Sequence, residues 1–182
     1  MDIGTSIVLV LGGARSGKSE VAERLVATAS GALPVTYIAT GQIADAAVDP
    51  GWAARVAVHR ARRPSAWETV EVGAGGDLAA ALESTSGVVL VDSLGTWLAG
   101  LPVFGGETDI AAPLLRAFGA RRAGGRPTVL VSEEVGLGVH PSSAAGQQFR
   151  DALGALNRTL ADAADQVLLV VAGRVLPLSE IS

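Results

Sequence analysis

The residues with the clearest chemistry are Gly12-Gly13-Ala14-Arg15-Ser16-Gly17-Lys18-Ser19. Their spacing is G-x-x-x-x-G-K-S, the phosphate-binding P-loop. Glycines let the backbone curl so that successive N–H groups aim at phosphate oxygens. Lys18 is placed to reach the β- and γ-phosphates, and Ser19 offers a hydroxyl to Mg²⁺. A helix opening at this point directs its positive end at the anion. A glycine-rich turn without a ligand is the plain alternative. The context argues against it, because the aliphatic run Ile7-Val8-Leu9-Val10-Leu11 enters the loop and a helical pattern leaves it. The motif specifies a nucleoside triphosphate and is silent on the acceptor.

Other candidates follow core-type runs. Asp92 closes Val88-Val89-Leu90-Val91, the arrangement in which a strand-end carboxylate holds Mg²⁺ beside a P-loop. Capping of the next helix is its structural alternative. Glu133 and Glu134 follow Thr128-Val129-Leu130-Val131-Ser132. Neighbouring residues on a strand point to opposite faces, so one is expected at the site, and Glu134 is the one favoured. His59 stands beside Arg60, Arg62 and Arg63, with Ala61 between. A neutral imidazole there could attack an α-phosphorus, with the arginines holding phosphates. A solvated helix end whose cations complement the helix dipole explains the same residues. The residues alone favour the helix-end reading. His140, before Pro141, reads as a loop residue.

Composition narrows the class. The chain has 182 residues, 49% hydrophobic and 18% charged, as expected of one globular domain, residues 1–182. A net charge of −4 and a pI near 5.1 argue against nucleic acid or an anionic membrane as partner. Aromatics at 4% leave little for base stacking. Without cysteine there are no disulfides or thiolate metal sites. No secretory signal and no apolar run long enough for a membrane span are visible. A P-loop enzyme needs cytoplasmic nucleotide, so a cytoplasmic protein is expected.

These candidates need a scaffold. Ile7–Leu11, Val35–Ala39, Val88–Asp92, Thr128–Ser132 and Val167–Val171 read as strands, Ile7–Leu11 and Val167–Val171 being continuous aliphatic runs of the kind buried on both faces. Trp67–Val72 reads as a shorter strand. Helical periodicity marks Ser19–Ala29, Pro50–Arg60, Asp77–Ser84, Ile110–Ala123 and Ser142–Ala164, with a helical start after Ser93. Thr40-Gly41-Gln42 opens the loop after the second strand, and residues 102–108 read as an exposed loop. Gly173 turns the chain into a last strand, where Pro177 favours an antiparallel edge position. The alternation predicts a three-layer α/β domain with a mostly parallel sheet.

Several segments together resemble one family, the bifunctional adenosylcobinamide kinase/adenosylcobinamide-phosphate guanylyltransferases of cobalamin biosynthesis. They are the P-loop, Tyr37-Ile38-Ala39-Thr40-Gly41-Gln42, and the block Arg55 to Glu71 with His59-Arg60, Arg63-Pro64 and Trp67-Glu68-Thr69-Val70-Glu71. Val91-Asp92-Ser93-Leu94, Glu134-Val135-Gly136-Leu137-Gly138, Phe149-Arg150-Asp151 and Asn157-Arg158 continue the likeness in order. The resemblance implies a RecA-like P-loop fold and two reactions. ATP or GTP phosphorylates the aminopropanol hydroxyl of adenosylcobinamide. GTP then donates GMP to adenosylcobinamide phosphate through a GMP–histidine intermediate, whose position here is His59. The implied nucleotide contacts are Gly12 to Ser19, Thr40, Gly41, Gln42, Arg60, Ala61, Arg62, Arg63, Glu71 and Asp92, with Mg²⁺ on Ser19 and Asp92. The resemblance also implies a homo-oligomer, a trimer being known in the family.

Family members can carry Glu where Asp92 stands and Asn where Glu133 stands. A P-loop kinase for another small metabolite, without covalent GMP, is the second reading. A RecA-type switch or motor is the third, and the acidic chain offers it no basic groove for DNA.

Overall fold

The computed structural model describes residues 3–4, 6–41, 47–101 and 109–180. Seven strands form one sheet: β1 Ile7–Gly12, β2 Val35–Ala39, β3 Glu68–Glu71, β4 Val88–Asp92, β5 Thr128–Glu133, β6 Gln166–Val171 and β7 Arg174–Leu178. Six helices join them: α1 Lys18–Ser30, α2 Pro50–Arg62, α3 Leu78–Ser84, α4 Leu94–Leu98, α5 Ala111–Ala123 and α6 Ala144–Ala163. The spatial order is β3-β2-β4-β5-β1-β6-β7. All neighbours are parallel except β6 and β7. The expected mostly parallel sheet with an antiparallel C-terminal edge strand is what forms, and Pro177 sits on that edge.

Both faces of the central strands are covered, which is why they are aliphatic without alternation. On one face Val8, Val10, Leu90 and Val131 pack with Val21, Ala22, Leu25 and Val26 of α1. On the other, Leu9, Leu11, Val91 and Leu130 pack with α3 to α6 through Leu82, Leu98, Phe118, Leu153, Leu156 and Leu160. Phe149, Leu153, Leu156 and Leu160 form the apolar stripe of α6, at helical spacing. Among the described side chains none from α2 belongs to either core.

Strand register decides what meets at the carboxyl end of the sheet. β5 lies between β1 and β4, so Gly12 pairs with Glu133, and Ala39 of β2 pairs with both Asp92 and Glu71. The P-loop, Glu133, Asp92 and Glu71 thus share one edge, where parallel sheets leave a crevice for ligands.

The opposite edge is tied by one buried cation. Arg121 is fully buried and faces no carboxylate among the described residues. It donates to Thr128 Oγ1 at 2.6 Å and to the carbonyls of Leu82, Thr85, Gly87 and Pro127 at 2.8 to 3.2 Å. Burial, with help from Arg126, brings its pKa down to about 10. It remains charged at neutral pH and ties α3, α5 and the starts of β4 and β5 together. Arg121→Met should lower unfolding stability by about 3 kcal/mol or more, because several buried carbonyls lose their donors. Urea unfolding measures this, and a loss below about 1 kcal/mol would show that water replaces the guanidinium.

Candidate active site

The P-loop leaves β1 at Gly12 and enters α1 at Lys18. The turn into the helix needs Gly17, whose φ of 91° lies in the left-handed region. Lys18, the only lysine in the chain, lies 3.5 Å from the Gly13 carbonyl and 3.6 Å from Glu133 Oε1. Ser16 Oγ is buried with no hydrogen-bond partner among the described residues. A buried hydroxyl left unpaired is costly unless a ligand completes it.

Glu133, not Glu134, faces this loop. Its carboxylate accepts from Ser93 Oγ at 2.9 and 3.1 Å and from the Gly95 backbone N–H at 3.1 Å. A Cβ on residue 95 would collide with Glu133 Oε2, so glycine there makes room for the carboxylate. Asn157 of α6 pins the strand end. Its Nδ2 donates to the Glu133 carbonyl at 3.0 Å, and its Oδ1 accepts from Ser132 Oγ at 2.6 Å. Glu134 instead turns back, accepting from the Gly136 N–H at 2.6 Å. The expectation that favoured Glu134 is corrected by the register, because β5 continues one residue further than its apolar run and carries Glu133 opposite Gly12.

Asp92 is the most enclosed carboxylate of the site, its side chain 9% exposed. Tyr37 Oη donates to its Oδ2 at 2.7 Å, and His59 Nδ1 lies 3.6 Å from the same oxygen. Burial alone would raise the Asp92 carboxyl. Hydrogen-bonding interactions with His59, Tyr37 and Ser19 outweigh burial and hold it below its ordinary value. Burial, reinforced by the Asp92 charge, pushes the Tyr37 phenol well above its ordinary range, so it stays a donor. Arg63 stacks over the Tyr37 ring, 3.6 Å from its centroid, and its Nε is buried without a hydrogen-bond partner among the described residues.

His59 reaches this point on a helix held by charge. Arg62 of α2 bridges to Glu20 at 3.0 Å and Glu23 at 3.3 Å on α1, and Arg60 pairs with Glu71 of β3 at 2.8 Å. Burial raises the Glu23 carboxyl against the pull of Arg62. The solvated-end alternative for this basic block is thus half right. Arg60 and Arg62 are paired with acids and Arg63 stacks on Tyr37, and these contacts turn His59 toward Asp92.

These groups line one open cleft of about 1060 Å³, at the upper end of small-molecule sites. Ala14, Arg15, Ser16, Gly17, Lys18 and Ser19 form one wall. Gly41, His59, Arg62, Arg63, Glu71 and Asp92 form the other. Gly12 and Gly13 lie behind the loop as its strand exit. Thr40 is fully buried, its hydroxyl turned to the Ser93 carbonyl and Thr96, so it supports the floor rather than lining it. Arg60 and Ala61 do not line the wall, and Gln42 lies outside the described residues, as does the loop expected at 102–108. Reading residue types alone passed over Tyr37, Ser93 and Thr96, which also line the cleft. A tyrosine within a buried strand was the available signal, since its hydroxyl must find an acceptor.

The donor set suits Mg²⁺. The Ser19 hydroxyl and Asp92 carboxylate interact, both are hard oxygen donors, and phosphates and water complete such a site. Among the described residues no group of three or more His, Cys, Asp or Glu side chains gathers to hold a metal unaided.

Because charge docks α2, Arg62→Met should loosen it without unfolding the sheet. Such partly exposed pairs contribute only about 1 kcal/mol or less. Hydrogen exchange is expected to quicken in α2 and stay slow in β1 and β5. Unchanged α2 exchange would mean that other contacts hold the helix.

Residues 8–178 match the family model described as cobinamide kinase / cobinamide phosphate guanyltransferase. The chain is 40% identical over 179 residues to the bifunctional adenosylcobalamin biosynthesis protein CobP of Pseudomonas aeruginosa, covering 93% of this chain and 95% of that one. It is 39% identical over 181 residues to the Escherichia coli bifunctional adenosylcobalamin biosynthesis protein CobU, covering 92% and 96%. The corresponding Salmonella typhimurium protein is 38% identical, with the same coverage. The crystal structure of the flagellar accessory protein FlaH from Methanocaldococcus jannaschii superposes with a TM-score of 0.54 at 12% identity, over 96% of this chain and 76% of that one. That likeness concerns the fold alone.

Proposed function

The chain belongs to the cobinamide kinase / cobinamide phosphate guanyltransferase family, and we propose how its cleft serves both reactions of a bifunctional enzyme. One nucleotide-binding catalytic domain, residues 1–182, phosphorylates the aminopropanol hydroxyl of adenosylcobinamide with ATP or GTP. It then transfers GMP from GTP to adenosylcobinamide phosphate. The observation that carries this reading is the placement of His59 across the cleft from the P-loop.

In the first reaction Lys18 and the loop N–H groups bind the β- and γ-phosphates and offset charge developing there. Ser19 and Asp92 would hold Mg²⁺, which supplies further neutralisation of phosphate charge when bound. Glu133, fixed by Ser93 and Gly95, orients the acceptor hydroxyl beside Lys18. In the second reaction His59 attacks the α-phosphorus, while Arg62 and Arg63 hold phosphate oxygens. Ser16 Oγ and Arg63 Nε, buried without a partner among the described residues, belong to residues lining this cleft, and phosphate oxygens would satisfy both.

α-Labelled GTP should leave acid-labile, base-stable label on the protein, and His59→Ala should leave none. Label retained in that variant would remove His59 from the mechanism. γ-Phosphate transfer with no α-label in the unaltered protein would return the reading to a P-loop kinase. Lys18→Ala should lower both reactions by about 100-fold or more, and undiminished rates would contradict a shared phosphate site.

Among the described residues no helix is long and apolar enough to cross a membrane. We propose that the enzyme works in the cytoplasm, because its nucleotide substrates are available there. We further propose a homo-oligomer, a trimer by family resemblance. Exposed Val171, Val175, Leu176 and Leu178 along β6 and β7 offer it apolar surface. Analytical ultracentrifugation should read three copies of the 18.3 kDa chain, and a mass of one copy at micromolar concentration would exclude the assembly.

A further inference from the structure

The surroundings of His59 treat its two ring nitrogens differently. Nδ1 lies 3.6 Å from Asp92 Oδ2 and 3.4 Å from Arg62 Nη2. The carboxylate is fixed in turn, since Tyr37 Oη donates to that same oxygen at 2.7 Å and Arg63 covers the Tyr37 ring. A ring nitrogen facing a carboxylate is held as N–H, which leaves the lone pair on the other nitrogen. Arg62 pulls the other way, because a guanidinium only donates. Arg62 Nη2 gives one N–H to Glu23 and keeps its second for Nδ1, so in the free enzyme the two neighbours compete for that nitrogen. As attack proceeds the ring becomes cationic, which a facing carboxylate stabilises and a guanidinium opposes. The Asp92 contact therefore strengthens along the reaction while the Arg62 contact weakens.

We propose that the Tyr37–Asp92 pair holds His59 by Nδ1, that Nε2 is the nitrogen that attacks the α-phosphorus, and that Tyr37 is a positioning residue for this step. The proposal rests on the guanylyl-transfer reading of the cleft. In the step, the Nε2 lone pair forms the N–P bond. The bond from the α-phosphorus to the bridging oxygen breaks, and pyrophosphate leaves with that electron pair. The ring, now bonded to phosphorus at Nε2 and to hydrogen at Nδ1, carries a positive charge opposite Asp92. When a phosphate oxygen of the acceptor attacks the α-phosphorus, the N–P electrons return to Nε2 and the neutral ring is restored with its Nδ1 proton. Contacts longer than a hydrogen bond in the free enzyme commonly tighten in such complexes.

The linkage can be read directly. The full chain, labelled with ¹⁵N-histidine and incubated with GTP, is examined by proton–nitrogen correlation and by ¹⁵N–³¹P coupling. Only two histidines contribute signals. Coupling at Nε2 of His59, with Nδ1 protonated, is the expected result. Coupling at Nδ1 would overturn the proposal while leaving guanylyl transfer intact. No N–P bond in either histidine would overturn the guanylyl-transfer reading and the linkage with it. Tyr37→Phe tests the positioning role. Losing a hydrogen bond to a charged group should slow adduct formation at saturating GTP about tenfold, a larger factor than any change in the half-saturating GTP concentration. An unaltered saturating rate, or an effect confined to half-saturation, would overturn the role of Tyr37.

Discussion

One buried carboxylate organises this site. Asp92 sits at the end of a strand enclosed on both faces, where an isolated charge would be expensive. Its cost is offset by partners from three separate elements: Tyr37 on β2, Ser19 on α1 and His59 on α2. None of these lies near it in sequence. The charge therefore acts as a tie between the phosphate loop and the histidine helix, and both halves of the cleft depend on it.

The parallel sheet makes that tie possible. Because every strand but the last runs the same way, their carboxyl ends converge on one rim. Placing β5 between β1 and β4 brings Glu133 into line with the P-loop and separates Lys18 from Asp92 by one strand. Glu133 occupies that interval, supported by Asn157 behind it and by Ser93 and Gly95 beside it. The same rim can thus hold a triphosphate at Lys18 and present its α-phosphorus to a second group.

The two walls of the cleft are built differently. The P-loop wall is continuous with the apolar core through α1. The His59 wall is docked by Arg62, Arg60 and Arg63 against Glu20, Glu23, Glu71 and the Tyr37 ring. Charged contacts at a surface are individually weak, so this wall can yield to a ligand without disturbing the sheet. A kinase step and a guanylyl transfer need different groups near the same nucleotide, and a rigid wall facing an adjustable one meets that requirement.

Local sequence determined much of this. Short aliphatic runs set between turn signals read as central strands, and G-x-x-x-x-G-K-S after such a run reads as a phosphate loop opening a helix, so the sheet and the α1 boundary were legible. Pro177 likewise marked the edge, because a residue without an N–H cannot serve an interior ladder. The substrate followed from a likeness spread over many segments and not from any single spacing. The tertiary structure alone decided the rest. Glu133 rather than Glu134 faces Lys18 because pairing with Gly12 sets which side chain points inward. Tyr37 belongs to the site because β2 lies beside β4, bringing its hydroxyl to Asp92. His59 lines the cleft because acids on α1 and β3 hold its neighbouring arginines. Each of these depends on residues far apart in the chain, and residue type and spacing carry no information about which distant group becomes a neighbour.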